Sequence, residues 1–221
     1  MSRPLPIEKN VLYAIIAVAA VIVIAVIYFA VSAPSAAGPA EKGTPTPAPG
    51  PAAWKVGSYA EYRLVMQGKE STLKYSVDGE EVYNGQDCYL LTYTMTMGNQ
   101  RTEYTMWITK AEHKPVHARM RMYQGDTLIM EKEMDVKQAE EMLPPSATAG
   151  EKAKFLGYET ITVPAGTFNC AKYEAEVTQA GVTTKTTFWL SNNVPMFGLV
   201  KAESVQNGNV VSTMELISYG T

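Results

Sequence analysis

The sequence predicts an all-β domain on a membrane tether. About eleven strands would form one strongly curved antiparallel sheet, an incomplete barrel with one short helix, preceded by a single transmembrane helix. Three observations lead there. From residue 54 onward apolar and polar residues alternate with period two, the mark of half-buried strands. Val11 to Val31 is a run of 21 residues without a charge. Between these segments lies a stretch made almost entirely of proline, alanine and other small residues.

In chain order, residues 1–10 form a cytoplasmic N-terminus and 11–31 a signal anchor. At 1.5 Å per residue the apolar run spans roughly 31 Å, the thickness of a bilayer core. Tyr13 and Tyr28 near its ends suit the headgroup region. Arg3 and Lys9 precede it and the nearest cations after it are Lys42 and Lys55, which favours an N-terminus inside and the rest of the chain outside. A cleaved signal peptide is the competing reading, with Ser35-Ala36-Ala37 as its cleavage site, although its apolar region is ordinarily only ~7–15 residues long. Residues 32–53 hold six prolines and seven alanines, and no aromatic or large aliphatic side chain. Such a segment cannot bury enough apolar surface to offset the entropy of ordering, so it reads as an extended linker reaching at most ~68 Å.

Residues 54–221 form the extracytoplasmic β-domain. Tyr62, Leu64 and Met66 share one strand face, as do Leu73, Tyr75 and Val77, and then Tyr89, Leu91, Tyr93, Met95 and Met97. Turn residues such as Gly98-Asn99, Gly125, Gly181 and Asn207-Gly208-Asn209 separate the runs, giving strands in up-and-down order. The one helix expected is Val136 to Leu143, capped by Asp135 and stopped by Pro144-Pro145. An internal duplication is also expected, about 85–134 and 166–217. Cys88 stands 19 residues before Trp107 and Cys170 stands 19 before Trp189, each tryptophan followed by a proline loop, a strand, a glycine turn and a last strand.

The Val163-Pro164-Ala165-Gly166-Thr167-Phe168 segment, with Trp189-Leu190-Ser191, Gly198-Leu199-Val200-Lys201 and the opening Val56-Gly57-Ser58-Tyr59-Ala60-Glu61-Tyr62, resembles exported bacterial and archaeal domains of the lipoprotein-carrier (Lol-type) superfamily. The resemblance covers about residues 56–219. It implies a bent antiparallel sheet whose concave apolar face is covered by helix and, in well-known members, takes acyl chains. It carries over no catalytic residue. The chain departs from those carriers in its anchor and in having a single short helix. The Pro164-Ala165-Gly166 step itself has type II turn chemistry.

Composition excludes several functions. A net charge of −3 leaves no basic stripe for nucleic acid. Two cysteines exclude a disulfide-built scaffold and a four-cysteine zinc site. No nucleophile elbow, H-E-x-x-H pair or phosphate-cradling glycine loop occurs, so no enzyme activity and no cofactor are expected. Twelve methionines, with Met95/Met97 and Met120/Met122 as same-face pairs, fit core filling, an adaptable wall for lipid tails, or Cu(I) binding with His113 and His117. His117 points with Arg119 and Arg121, away from Met120 and Met122, which weakens copper and leaves no metal site expected. If the Gly125 turn sets the register, Arg119 faces Glu131 and His117 faces Glu133, an outer-face ladder worth about 0.2–1 kcal/mol per pair. Cys88 and Cys170 would lie where a disulfide is permitted. A bridge, a pair of buried free thiols and a reactive thiol all stay open.

The expected function is a membrane-tethered binding domain that holds an apolar, lipid-like ligand. Its cavity would be lined by Tyr62, Leu64, Tyr75, Leu91, Tyr93, Met95, Tyr104, Met106, Met120, Met122, Met130, Tyr173 and Phe188, with Leu128 and Val177 beside them. The alternative is a non-catalytic interaction or structural subunit of a cell-envelope complex, docking a protein partner through a sheet edge or through outer-face residues such as Trp107 and Trp189.

Overall fold

The computed structural model describes residues 54–111, 114–134, 153–179 and 182–221. The expected N-terminus 1–10, transmembrane segment 11–31, linker 32–53 and helix 136–143 lie outside the described residues. Alternation turns into strands along the whole domain: β1 (Tyr59–Met66), β2 (Lys69–Tyr83), β3 (Gln86–Met97), β4 (Gln100–Thr109), β5 (Pro115–Gln124), β6 (Thr127–Met134), β7 (Lys154–Val163), β8 (Gly166–Gln179), β9 (Val182–Leu190), β10 (Leu199–Gln206) and β11 (Asn209–Gly220). All pairings are antiparallel, and no helix occurs among the described residues.

One sheet contains all eleven strands, in the order β6-β5-β4-β3-β2-β1-β11-β10-β9-β8-β7. Every pair of chain neighbours is adjacent in it except β6 and β7, and the first and last strands pair at its centre. The up-and-down order therefore holds with its seam displaced. The two unpaired edges are β6 and β7, where a simple meander would leave β1 and β11 at the ends.

Strand spacing shows that the sheet bends. Neighbouring strands lie about 4.8 Å apart, so β2 and β10 would be ~14 Å apart if the sheet were flat. Yet Tyr75 on β2 meets Phe197, two residues before β10, with ring centroids 5.3 Å apart. Buried residues of β1, β2, β3 and β4 form a single cluster with those of β7, β8, β9, β10 and β11. Tyr62 on β1 donates its hydroxyl to the carbonyl of Leu199 across the interior, at 3.0 Å.

The segment Ser191–Gly198 closes one end of this interior. Its sequence places Val194, Met196 and Phe197 in succession, and all three are buried. Phe197 packs edge-on against Trp54 at 5.5 Å, and Trp54 in turn meets Tyr89 at 5.8 Å. Within the described residues this end is plugged by the β9–β10 connection and by the first tryptophan of the domain. Met196 and Gly198 both take positive φ to make the bend. A Cβ on Gly198 would sit 3.0 Å from the Ser191 carbonyl oxygen, so only glycine fits there without a shift.

Phe197→Ala should lower the stability of the full chain in detergent by about 3–5 kcal/mol, the cost of deleting a buried aromatic side chain. Gly198→Ala should lower it by about 1–3 kcal/mol through backbone strain, whereas Ile129→Ala, at an exposed position, should stay within about 0.5 kcal/mol. Denaturant unfolding followed by tryptophan fluorescence measures all three.

Candidate functional site

Cross-strand pairing sets the inner face of the first half as three rows. The middle row reads Ala60, Tyr75, Tyr93, Tyr104, Met120 and Lys132 from β1 to β6. Beside it run Leu73, Met95, Thr102, Met122 and Met130, and on the other side Val77, Leu91, Met106, Ala118 and Met134. Side chains of paired residues lie on the same side of a sheet, so these rows form one continuous surface. The tyrosines stack along it, Tyr75 on Tyr93 at 5.5 Å and Tyr93 on Tyr104 at 5.3 Å, with Tyr62 edge-on to Tyr75 at 6.0 Å.

Burial divides the expected cavity lining into two groups. Tyr62, Leu64, Tyr75, Leu91, Tyr93, Met95, Met120, Tyr173 and Phe188 are all buried. Each is surrounded by protein, so over β1, β2, β3, β8 and β9 the concave face is packed core. Tyr104, Met106 and Met122 are only half-buried, and Met130 keeps 42% of its surface exposed. Among the expected lining residues the opening falls on β4, β5 and β6, where Ala118, Met120 and Met134 form a small second core with Tyr104, Met106 and Met122 against it. At the opposite edge Tyr158 on β7, in register with Ala171 on the inner face, keeps 50% of its surface exposed as well. Leu128 does not belong to this surface. A bulge between Met122 and Tyr123 sets Leu128 opposite Tyr123, on the outer face. The side chain of Val177 lies outside the description.

Burial also sets the ionisation of the inner face. It raises the hydroxyl pKa of Tyr62, Tyr75, Tyr93, Tyr104 and Tyr173, because a phenolate there would lose its hydration. Cys88 and Cys170 are buried free thiols on β3 and β8, six positions apart in the sheet, and no bridge joins them. The Cys170 thiol is pushed up to about 11 by burial and the nearby Glu159 carboxylate. That of Cys88 is raised chiefly by burial. Neither is a nucleophile at neutral pH.

On the outer face the two tryptophans occupy matching settings. The Trp107 indole N–H donates to Glu81 at 3.1 Å, and that of Trp189 donates to Glu159 at 2.9 Å. Glu81 pairs in register with Cys88 and Glu159 with Cys170. Cations lie over both rings, Arg119 on Trp107 and Lys172 and Lys201 on Trp189. Tyr83 and His117 cover Trp107 further, at 6.0 and 4.7 Å. Both indoles are consequently buried, at 7% and 8% exposure, and unavailable for the docking role expected of them. The glutamates were not singled out from sequence. Glu81 lies seven residues before Cys88 and Glu159 eleven before Cys170, because the second hairpin is longer, and unequal spacing hides the match.

The charge ladder exists in a different register. Arg119 pairs with Glu133 and Arg121 with Glu131. The side-chain contacts are Arg121 to Glu131 at 3.0 Å and His117 to Glu133 at 2.7 Å. Among the described residues no group of three or more histidine, cysteine or acidic side chains could hold a metal ion.

A family model described as DUF3108-like matches residues 66–216. The chain belongs to the DUF3108-like family. The matched span runs from the end of β1 to Leu216 on β11, so it includes both tryptophan settings and the open methionine rows. No curated protein matches the chain. Among solved structures, a candidate exported protein with a YmcC-like fold from Bacteroides fragilis is similar at 17% identity and a TM-score of 0.38, over 77% of this chain and 98% of that one. A candidate lipoprotein from Parabacteroides distasonis is similar at 18% identity and a TM-score of 0.42, over 76% and 97%. The hypothetical lipoprotein YmcC of Escherichia coli is similar at 10% identity and 0.31, over 74% and 85%.

Because the buried hydroxyls and thiols have raised pKa values, folding favours their protonated forms. Their contribution to stability is complete below the unfolded-state values, about 8.5 for cysteine and 10 for tyrosine, and is lost as pH rises beyond them. Stability should therefore fall steeply above pH ~10. An ultraviolet tyrosinate titration should show a fraction of the phenols ionising only as the near-ultraviolet circular dichroism collapses. Alkylation by iodoacetamide at pH 8 should leave Cys88 and Cys170 unmodified until denaturant is added.

Proposed function

We propose that this chain is a membrane-tethered extracytoplasmic domain of lipoprotein-carrier-like type, which holds an apolar, lipid-like ligand without catalysing a reaction. The observation that carries the reading is the burial gradient on the concave face. The inner rows are core from β1 to β3 and become half-exposed methionine and tyrosine on β4, β5 and β6. A soluble domain gains nothing by leaving a half-buried Met122 beside an exposed Met130, and methionine is the side chain best suited to repacking around an irregular apolar guest. The ligand's place is accordingly the strip Tyr104, Met106, Met122 and Met130 rather than a deep central cavity. The duplicated layout of the two tryptophan settings supports an origin of the domain by internal duplication.

A second reading has its own support. Edge strand β6 exposes Leu128, Ile129 and Met130 at 46%, 54% and 42%, and edge strand β7 exposes Leu156 and Tyr158 at 42% and 50%. An exposed apolar edge is a template for adding a strand from another protein, as a structural subunit of an envelope complex would use it.

Native mass spectrometry on the full chain purified in detergent separates the two. The ligand reading predicts a stoichiometric lipid-sized mass that disappears in Met130→Arg, at a position exposed enough to tolerate the change. A bare protein from both its own membranes and a heterologous host would overturn it. Capture of one specific envelope protein by a photoreactive residue at Ile129, with no ligand mass on the chain, would support the partner reading instead.

A further inference from the structure

We infer that Lys132 is the head-group contact of the apolar site, so that the ligand is an amphiphile with an anionic head. The inference rests on the ligand reading above and specifies the chemical class of what the site takes. On β6 the side chains alternate faces. Glu131 and Glu133 point outward to Arg121 and His117. Lys132 lies between them in sequence and so shares the inner face with Met130 and Met134, in register with Met120. It ends the row that begins Ala60, Tyr75, Tyr93, Tyr104 and Met120, a row otherwise free of charge.

The neighbouring acids Glu131 and Glu133 are engaged by Arg121 and His117, and Lys132 forms no ion pair among the described residues. A lysine in this position lays its four-carbon stem along the methionines and keeps the ammonium at the water boundary. An acyl chain lying over Met122 and Met130 would bring its polar end against that ammonium. A carboxylate or phosphate there would gain a charge-assisted contact strengthened by the apolar floor beneath it, whereas a neutral head would gain none. Lysine also tolerates either acidic head group, since it acts as a point charge rather than as a planar fork.

An inward-pointing charge on an edge strand has another known use, which is to block edge-to-edge aggregation. The test must tell the two apart. The full chain is placed in phosphatidylcholine nanodiscs and labelled with a photoactivatable diazirine fatty acid or with its methyl ester, and adducts are mapped by peptide mass spectrometry. The expected result is labelling of the β4–β6 peptides, about tenfold stronger for the acid than for the ester. Lys132→Gln should bring the acid down to the ester's level and Lys132→Arg should keep the preference. Protection of Cys88 and Cys170 from alkylation reports that each variant is folded. Equal labelling of β4–β6 by acid and ester would overturn the inference while leaving the apolar-ligand reading intact. No labelling of β4–β6 by either would overturn both. If Lys132→Gln raises the oligomeric mass with the acid-to-ester ratio unchanged, Lys132 guards the edge and the inference falls.

Discussion

The pairing of β1 with β11 is the contact on which the rest of this fold depends. Residues 59–66 must find residues 212–220, about 150 positions away, before either half of the sheet can bury its inner face. Each half taken alone is a meander with one apolar side and nothing to set against it. Once the halves are joined through β1 and β11 the sheet can bend on itself, and β2 and β3 come to share a core with β8, β9 and β10. Loop closure over that distance is entropically costly, and the return is almost the whole of the buried apolar surface. The join carries polar ties as well, with Arg63 on Glu215 at 2.7 Å and Ser218 donating to Glu61 at 2.9 Å.

Bending places unequal demands on the two faces. Inside, bulky residues must fill the space, and the tyrosine row does so by stacking, with Phe197 and Trp54 sealing one end. Outside, the two tryptophans each gain a carboxylate acceptor for the indole N–H and a cation over the ring. A tryptophan on an outer face could lie exposed. These two are instead covered by neighbouring polar side chains that cross from strand to strand, so each links three or four strands on the side the core does not reach. That arrangement stiffens the curved sheet where hydrogen bonds between backbones fix only spacing.

The seam is where this closure stops. Strands β6 and β7 have no partner on their outer sides among the described residues, and the inner surface beside β6 stays partly open. Binding sites of curved sheets lie where the interior is accessible, and here access coincides with the richest run of methionine. Methionine lets such a surface be apolar without being rigid, which suits a guest with no fixed shape. Lys132 at the end of the tyrosine row adds a direction to an otherwise uniform apolar strip.

The sequence by itself determined the strands and their faces. Period-two alternation placed Tyr62, Leu64, Tyr75, Leu91, Tyr93, Tyr173 and Phe188 on the inner side, because the pleat forces successive side chains to opposite faces whatever the partner strand is. Turn chemistry at Gly98-Asn99, Gly125 and Asn207-Gly208 likewise acts within a few residues and was legible. The tertiary structure alone decided which inner residues are core and which stay open. That choice depends on where the seam falls, and the seam depends on the long-range pairing of β1 with β11, which no local pattern encodes. For the same reason the role of Ser191–Gly198 as end plug was hidden in what reads as a proline loop. The register of Arg119 with Glu133 escaped as well, because the turn is centred on Gly125-Asp126 rather than on Gly125 alone and one bulge beyond it shifts every later pair by a further residue.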